Sequence, residues 1–375
     1  MLTEGTHIMK ITNIEAIPVR IPFTHGGPLG DFITGKDWTE LGHLLVKIDT
    51  DSGITGYGES FGFDAIQTTK TLIDSLISPM IIGRDASQID VLMNDLALKT
   101  HIFGRYGITT FALSGIDIAL WDIAGKAADL PLNKLLGGPY KADVPAYASL
   151  LKYEDPAVCA RLTEEALGHG YRFIKLHENT VEPVAAARSA GGNDLPIMLD
   201  VNCSWSPQQA SKMAEALLPY DLHWLEEPLW PPENFEALAD LRSESGIPIA
   251  AGENACTAWQ FDQMFRCGAV DYAQASVTKV GGLTEMRKIS ALAEVANIRI
   301  QPHSPYFGPG FLATLHFIAS SRGIESIERF YVDLEADMYG NALIPVDGVI
   351  HVPDGPGLGI DPDPGFIKRY RSDIA

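Results

Sequence analysis

Three carboxylates stand at near-equal intervals in the middle of this 375-residue chain: Asp200, Glu226 and Glu253, 26 and 27 residues apart. Each follows a short apolar run: Pro196-Ile197-Met198-Leu199, His223-Trp224-Leu225, and Ile247 to Ala251. A strand, a helix and two loops consume about that many residues. The carboxylates are therefore expected at the C-terminal ends of three successive parallel strands, the end that carries the chemistry of a closed βα barrel. Hard oxygen ligands converging on one point suit Mg²⁺. Any one of them taken alone reads equally as an N-cap or loop carboxylate; three in register favour the metal.

Other polar side chains fall at neighbouring strand ends. Lys175 and His177 are two residues apart and point the same way from an extended segment. Ser276 ends a later run, with Lys279 in the loop behind it; Gln301-Pro302-His303 and Glu328 close two more. A metal with Lys and His on one wall and a second His opposite suits removal of the weakly acidic proton α to a carboxylate. The metal stabilises the enediolate while a base on one face takes the proton. Structural alternatives are a salt bridge for Lys175, a turn cap for Glu328, and support of the Gly281-Gly282 loop for Lys279.

The elements that position these residues form a repeat. Strands are expected at Val144–Leu150, Phe173–His177, Ile197–Asn202, His223–Glu227, Ile247–Gly252, Tyr272–Ser276, Ile298–His303 and Ser326–Phe330, with amphipathic helices between them. Such alternation argues a parallel sheet, and eight units argue a closed barrel. Ahead of it, Ile11–Pro22 alternates as a strand, and two runs flank the turn Asp51-Ser52-Gly53 as a hairpin. Helical periodicity follows to Leu136, including a stretch around Ile116 that is apolar on every side and therefore buried. The fold class is α/β: a modified (β/α)8 TIM barrel over 141–341, under an α+β cap built from 1–140 and a returning tail, 342–375. The tail is expected to pack on the cap, because a closed barrel offers no free edge. Met1–Ile8 reads as an unstructured lead-in.

Composition narrows the function. Hydrophobic residues make up 46% and charged residues 20%, the balance of a globular protein with a large core. A net charge of −20 argues against nucleic acid and anionic membranes as partners. No apolar run is read as a membrane span and no signal peptide is evident, so a cytoplasmic location is expected. Cys159, Cys203, Cys256 and Cys267 contain no CxxC pair, which indicates neither zinc nor a redox couple.

The chain resembles the enolase superfamily, and within it the mandelate racemase-like group. The resemblance rests on Ser114-Gly115-Ile116-Asp117 through Lys126, Leu135-Leu136-Gly137-Gly138, Leu225-Glu226-Glu227-Pro228, Gly252-Glu253-Asn254, Gly281-Gly282-Leu283-Thr284, Ile327-Glu328-Arg329 and Pro353 to Gly359. It implies Asp200, Glu226 and Glu253 as metal ligands and Lys175 and His177 at the two positions of a Lys-x-Lys motif. It further implies His303 as the seventh-strand histidine and Glu328 as donor to a substrate carboxylate oxygen. Enediolate chemistry with a Lys or His base belongs to that superfamily as known, so here it comes with the resemblance. Two positions depart from the pattern. His177 replaces the second Lys. Ser276 stands where the group has an Asp partner for the seventh-strand histidine, which weakens His303 as a base.

The expected function is Mg²⁺-dependent dehydration of an acid sugar to a 2-keto-3-deoxy acid. His177 is the base, modulated by Lys175, and His303 the acid. Racemisation, epimerisation or cycloisomerisation of a related acid is the alternative, and a non-catalytic metal-binding barrel a remote one. Substrate contacts are expected from His25, Trp38, Asn202, Ser276 and Lys279, with specificity in the loops Phe23–Leu41 (including Asp31, Lys36 and Asp37) and His101–Tyr106. The expected partners are a small-molecule carboxylate and further copies of the chain, an octamer being one candidate state.

Overall fold

The computed structural model describes residues 8–30 and 38–373. Asp31, Lys36 and Asp37 of the first candidate specificity loop, and most of the proposed lead-in, lie outside them. β1 (Ile11–Thr24), β2 (Glu40–Thr50) and β3 (Thr55–Ser60) form an antiparallel sheet, β2 and β3 joined by the expected turn. Helices Ile89–Thr100 and Ile108–Ala128 pack behind it. By length and composition Ile108–Ala128 is apolar enough to cross a membrane, contrary to the sequence expectation, but 78% of its apolar window is buried within the protein. It is a core helix.

All eight barrel strands form where the apolar runs place them: β4 (Asp143–Ser149), β5 (Ile174–Leu176), β6 (Ile197–Asp200), β7 (Trp224–Glu226), β8 (Ile249–Ala251), β9 (Tyr272–Ala273), β10 (Arg299–Ile300) and β11 (Ile327–Phe330). The parallel ladders run β10-β9-β8-β7-β6-β5-β4-β11. Among the described residues no backbone ladder joins β10 to β11. Side chains join this seam instead: Gln301 Nε2 donates to Ser326 O at 2.8 Å, and Glu328 Oε2 accepts Ser304 N at 2.9 Å.

The return to the cap differs from expectation in two places. β12 (Asp333–Leu334) pairs with β1 directly after β11, ahead of residue 342. β13 (Val349–His351) pairs antiparallel with Asp143–Pro145 of β4, so the barrel does receive part of the tail. It can do so because β4 starts before its parallel neighbours do: its pairing with β5 begins only at Ala148. Beyond β13 the chain reaches the cap, where Ser372 N donates to Pro18 O at 2.9 Å.

Strand register decides what faces the interior. Ser149, Lys175, Met198 and Trp224 are successive register partners, as are Asp200, Glu226 and Ala250. Because side chains alternate with period two, Tyr147, Met198, Trp224, Ala250 and Tyr272 form one buried apolar layer. The ionic residues stand one layer above it, at the C-terminal mouth.

The Ser114–Lys126 motif docks the cap helix Ile108–Ala128 against the barrel. Ser114 Oγ accepts Gly281 N at 2.9 Å, Asp117 Oδ1 accepts Thr284 N at 3.0 Å, and Trp121 Nε1 donates to Thr284 Oγ1 at 2.9 Å. Asp122 Oδ1 accepts Leu358 N at 2.8 Å. Asp117 thereby caps the helix Gly282–Ala296, whose own N-cap is a glycine. Removing the acceptor strands a buried N–H, so Asp117→Ala is expected to cost about 1–3 kcal/mol in denaturant titration. Burial pushes the Asp117 carboxyl up to about 7, its hydrogen bonds opposing. A folded value above the unfolded one means that this group's stabilisation is full in acid and is lost as pH rises through about 7. Asp117→Asn lacks that loss, so its Tm relative to wild type is expected to improve as pH rises from the ordinary carboxylate range to about 7 and to level off above it.

Candidate active site

Asp200, Glu226 and Glu253 converge as their spacing requires: one ligand oxygen from each lies within 4.8 Å of the others, so the cluster can hold a metal ion. Asp200 and Glu226 are direct register partners on β6 and β7. Glu253 lies three residues beyond Ala250, the partner of Glu226, and is out of phase with the inward face by one residue. Gly252 corrects this with φ 135°, and a Cβ there would stand 2.8 Å from Phe261.

Lys175 is fully buried among carboxylates. Its Nζ lies 2.7 Å from Glu328 Oε1, 2.8 Å from Glu226 Oε1 and 3.3 Å from Asp200 Oδ2. Burial alone would discharge the ammonium, but Glu226, Glu328 and Asp200 overcome it and hold its pKa well above the ordinary lysine value. Glu328 also accepts from Ser149 Oγ at 2.9 Å. Burial opposes its charge, yet Lys175 and His303 keep its carboxyl below the usual range. Glu328 thus holds Lys175 as an acceptor in this structure.

The charges do not balance among these side chains. Four carboxylates (Asp200, Glu226, Glu253, Glu328) meet two ammonium groups, Lys175 and, with Nζ 4.0 Å from Glu253, Lys279. Burial and the charges of Asp200 and Glu328 push the Glu226 carboxyl well up despite Lys175. With all four ionised the residual is two negative charges, and with oxygen donors only the cluster fits a hard divalent cation, whose charge would offset what raises Glu226.

The two histidines differ in what stands behind them. His177 Nδ1 lies 2.5 Å from Leu150 O, which can only accept, and Nε2 lies 3.3 Å from Asp200 Oδ2. In the neutral ring the hydrogen belongs on Nδ1, at the shorter contact, and the lone pair faces the cluster. His303 is reversed. Its Nε2 lies 2.9 Å from Glu253 Oε2, an acceptor, and Nδ1 faces Ser276 Oγ at 3.2 Å, a hydroxyl able to donate. Its hydrogen belongs on Nε2, toward the cluster. Asp271, at the far end of β9, is paired with Arg242 at 2.7 Å and stays away.

The remaining candidates are unevenly placed. Asn202 N donates to Asp200 Oδ1 at 2.9 Å, and Lys279 lies over the Phe61 ring at 4.7 Å. Trp38 packs edge-on against Phe330 at 5.8 Å, and Phe330 in turn lies 6.3 Å from His177. His25 stacks near Tyr153 at 6.4 Å in the same cap loop, with no contact to the carboxylates. The loop containing Arg105 borders a separate cavity of about 200 Å³ with Thr257, Trp259 and Lys288, none of them in the cluster.

Two partners escaped the sequence reading. Trp224 Nε1 donates to Glu226 Oε2 at 2.8 Å, rising from the apolar layer two residues earlier on the same strand face. That i, i+2 offset was legible, but Trp224 reads first as core. Glu227 accepts Gly252 N at 2.8 Å and so ties β7 to the Glu253 turn; burial and then Glu253 push its carboxyl up to about 7.

Comparison with known proteins places this geometry among relatives. The family model described as mandelate racemase / muconate lactonizing enzyme, N-terminal domain, matches residues 38–137, and the enolase C-terminal domain-like model matches 158–366. A 3,6-anhydro-alpha-L-galactonate cycloisomerase of Streptomyces coelicolor is 33% identical, over 92% of this chain and 93% of its own length. An arabinonate dehydratase of Saccharolobus solfataricus is 32% identical, over 88% of this chain and 90% of its own. A crystal structure of a racemase from Streptomyces coelicolor with bound magnesium superposes with TM-score 0.87 and 31% identity, covering 96% of this chain and 100% of that one.

Without a metal, Lys175 is the main counter-charge of three buried carboxylates. Lys175→Met in EDTA-treated protein is expected to lose about 3–5 kcal/mol at neutral pH, read by thermal or urea unfolding. The wild-type ammonium, its pKa raised, contributes fully below the unfolded lysine value. The deficit should therefore persist across neutral pH and shrink only in acid, once the carboxylates are protonated. A Tm equal to wild type would contradict the charge accounting.

Proposed function

Because the chain belongs to the mandelate racemase / muconate lactonizing enzyme family of the enolase superfamily, we propose that it dehydrates an acid sugar to a 2-keto-3-deoxy acid. The chain is an enzyme of that superfamily's lyase or isomerase type, and dehydratases of arabinonate and of D-mannonate are among its relatives. The observation that supports dehydration best is the opposed placement of hydrogen on the two imidazoles. One ring offers a lone pair to the site and the other an N–H.

The roles follow from those placements. His177 Nε2 takes the proton α to the substrate carboxylate, and the electrons of that C–H bond form the new C=C bond. His303, as an imidazolium between Glu253 and Ser276, gives its Nε2 proton to the β-hydroxyl, which leaves as water, and is left neutral; the resulting enol tautomerises to the 2-keto acid. Lys175 stays protonated, so it serves as a fixed positive charge beside the substrate carboxylate and not as a second base. Asp200, Glu226 and Glu253 would hold Mg²⁺, which supplies positive charge to the substrate carboxylate as the proton leaves. Ser276 orients His303 through a hydroxyl at Nδ1.

A second reading rests on the cycloisomerase relative. In an anhydro acid the β-oxygen is part of a ring, so the same proton abstraction and elimination open the ring without releasing water. Product mass separates the two: loss of water for dehydration, none for ring opening.

Two tests follow. EDTA should abolish turnover and Mg²⁺ restore it, and Asp200→Asn or Glu253→Gln should abolish Mg²⁺ binding in calorimetry while leaving the circular dichroism intact. His303→Asn should stop net dehydration yet retain α-hydrogen exchange with deuterated solvent, whereas His177→Asn should lose both. The reverse pattern would make His303 the base. Ser276→Asp, which supplies a carboxylate behind that ring, would then raise the rate.

A further inference from the structure

Glu59, at the end of the cap strand β3, is 2% exposed and takes no part in the steps above. Its Oε1 lies 2.6 Å from His43 Nδ1 on β2, and His43 is equally buried. Its Oε2 accepts Gly310 N at 2.8 Å. Gly310 lies in the first turn of the barrel helix Pro309–Ala319, whose N-cap, Gly308, has no side chain with which to cap it. A carboxylate from the cap sheet therefore supplies the missing cap, placing negative charge at the positive end of an 11-residue helix. The fit is close: a Cβ on Gly308 would stand 2.7 Å, and one on Gly310 2.9 Å, from Glu59 Oε2. A side chain at either position would push the carboxylate away from its partners.

That helix begins where the loop from His303 ends. Tyr306 within the loop meets His303 edge-on at 6.1 Å and Phe61 of the cap at 6.3 Å. Phe307 meets His43 edge-on at 6.4 Å. The segment from His303 to Gly308 is thus fastened to the cap at Glu59, His43 and Phe61. We propose that Glu59 and His43 are positioning residues of the reaction: they anchor the Ser304–Gly308 loop and, through it, set the approach of His303 to the leaving hydroxyl. This rests on the reading of His303 as the acid.

The test compares three variants of Glu59 and His43 with His303→Asn as reference. A loop displaced by an ångström is expected to lower turnover by about tenfold to a hundredfold in Glu59→Ala. The rate of α-hydrogen exchange, which depends on His177 at the other wall, should stay within about twofold of wild type. Glu59→Gln keeps an oxygen for Gly310 N and should recover part of the loss; where Glu59→Ala is too unstable to purify, Glu59→Gln and His43→Gln carry the same comparison. Equal losses of exchange and turnover, or full turnover, overturn the proposal. If His303→Asn itself fails to separate exchange from turnover, the acid assignment has failed, and isotope-labelled histidine resonances then decide the anchor. A His303 signal displaced by Glu59→Ala upholds it, and one left in place overturns it.

Discussion

Everything at the barrel mouth depends on keeping four carboxylates charged where little water reaches them. An unpaired buried carboxylate costs several kcal/mol, and here the register of β6 and β7 sets Asp200 directly beside Glu226. Lys175, reaching up between β4 and β6, makes this tolerable by touching three of them at once. The aromatic layer below makes the arrangement rigid. Tyr147, Trp224 and Tyr272 fill the barrel interior, so the ionic layer cannot relax downward, and the indole of Trp224 fixes one oxygen of Glu226. A site built this way is preorganised by packing, with its charge incomplete by about the amount that one divalent cation brings.

Within that frame the chemistry divides through small differences in what lies behind each ring. A backbone carbonyl behind His177 dictates where its hydrogen sits, because a carbonyl cannot donate. A serine hydroxyl behind His303 imposes no such choice and no negative charge, and the carboxylate in front of the ring decides instead. Two histidines of the same intrinsic acidity thus present different atoms to the site, a lone pair from one and an N–H from the other.

The fold was largely legible in the chain. Apolar runs at regular intervals marked all eight barrel strands, and Asp200, Glu226 and Glu253 were recognisable because carboxylates at strand ends repeat with the strand–helix unit. Partners set by packing were not. Trp224 looked like core because it is core, and its N–H matters only once the register sets it below Glu226. The Lys175–Glu328 pair joins residues on strands that are not neighbours in the chain, and no local pattern announces it. The Glu59–Gly310 contact joins residues 251 apart in the chain, beyond any local pattern. The tail was misplaced for a topological reason: β4 starts ahead of its parallel neighbours, which leaves an edge for β13.

The missing ladder between β10 and β11 has a consequence for how such a protein can diverge. His303 follows one of these strands and Glu328 lies on the other, and the Ser304–Glu328 bond is among the contacts that join them. The clasp of the ring and the reacting wall therefore share atoms. On the other side of the mouth, continuous ladders hold the strands, so His177 sits on a frame that does not depend on it for closure. Tolerance to change is lopsided: the residue at 177 can be replaced without reopening the barrel, whereas a new wall at His303 and Glu328 must also be a new way of closing the circle.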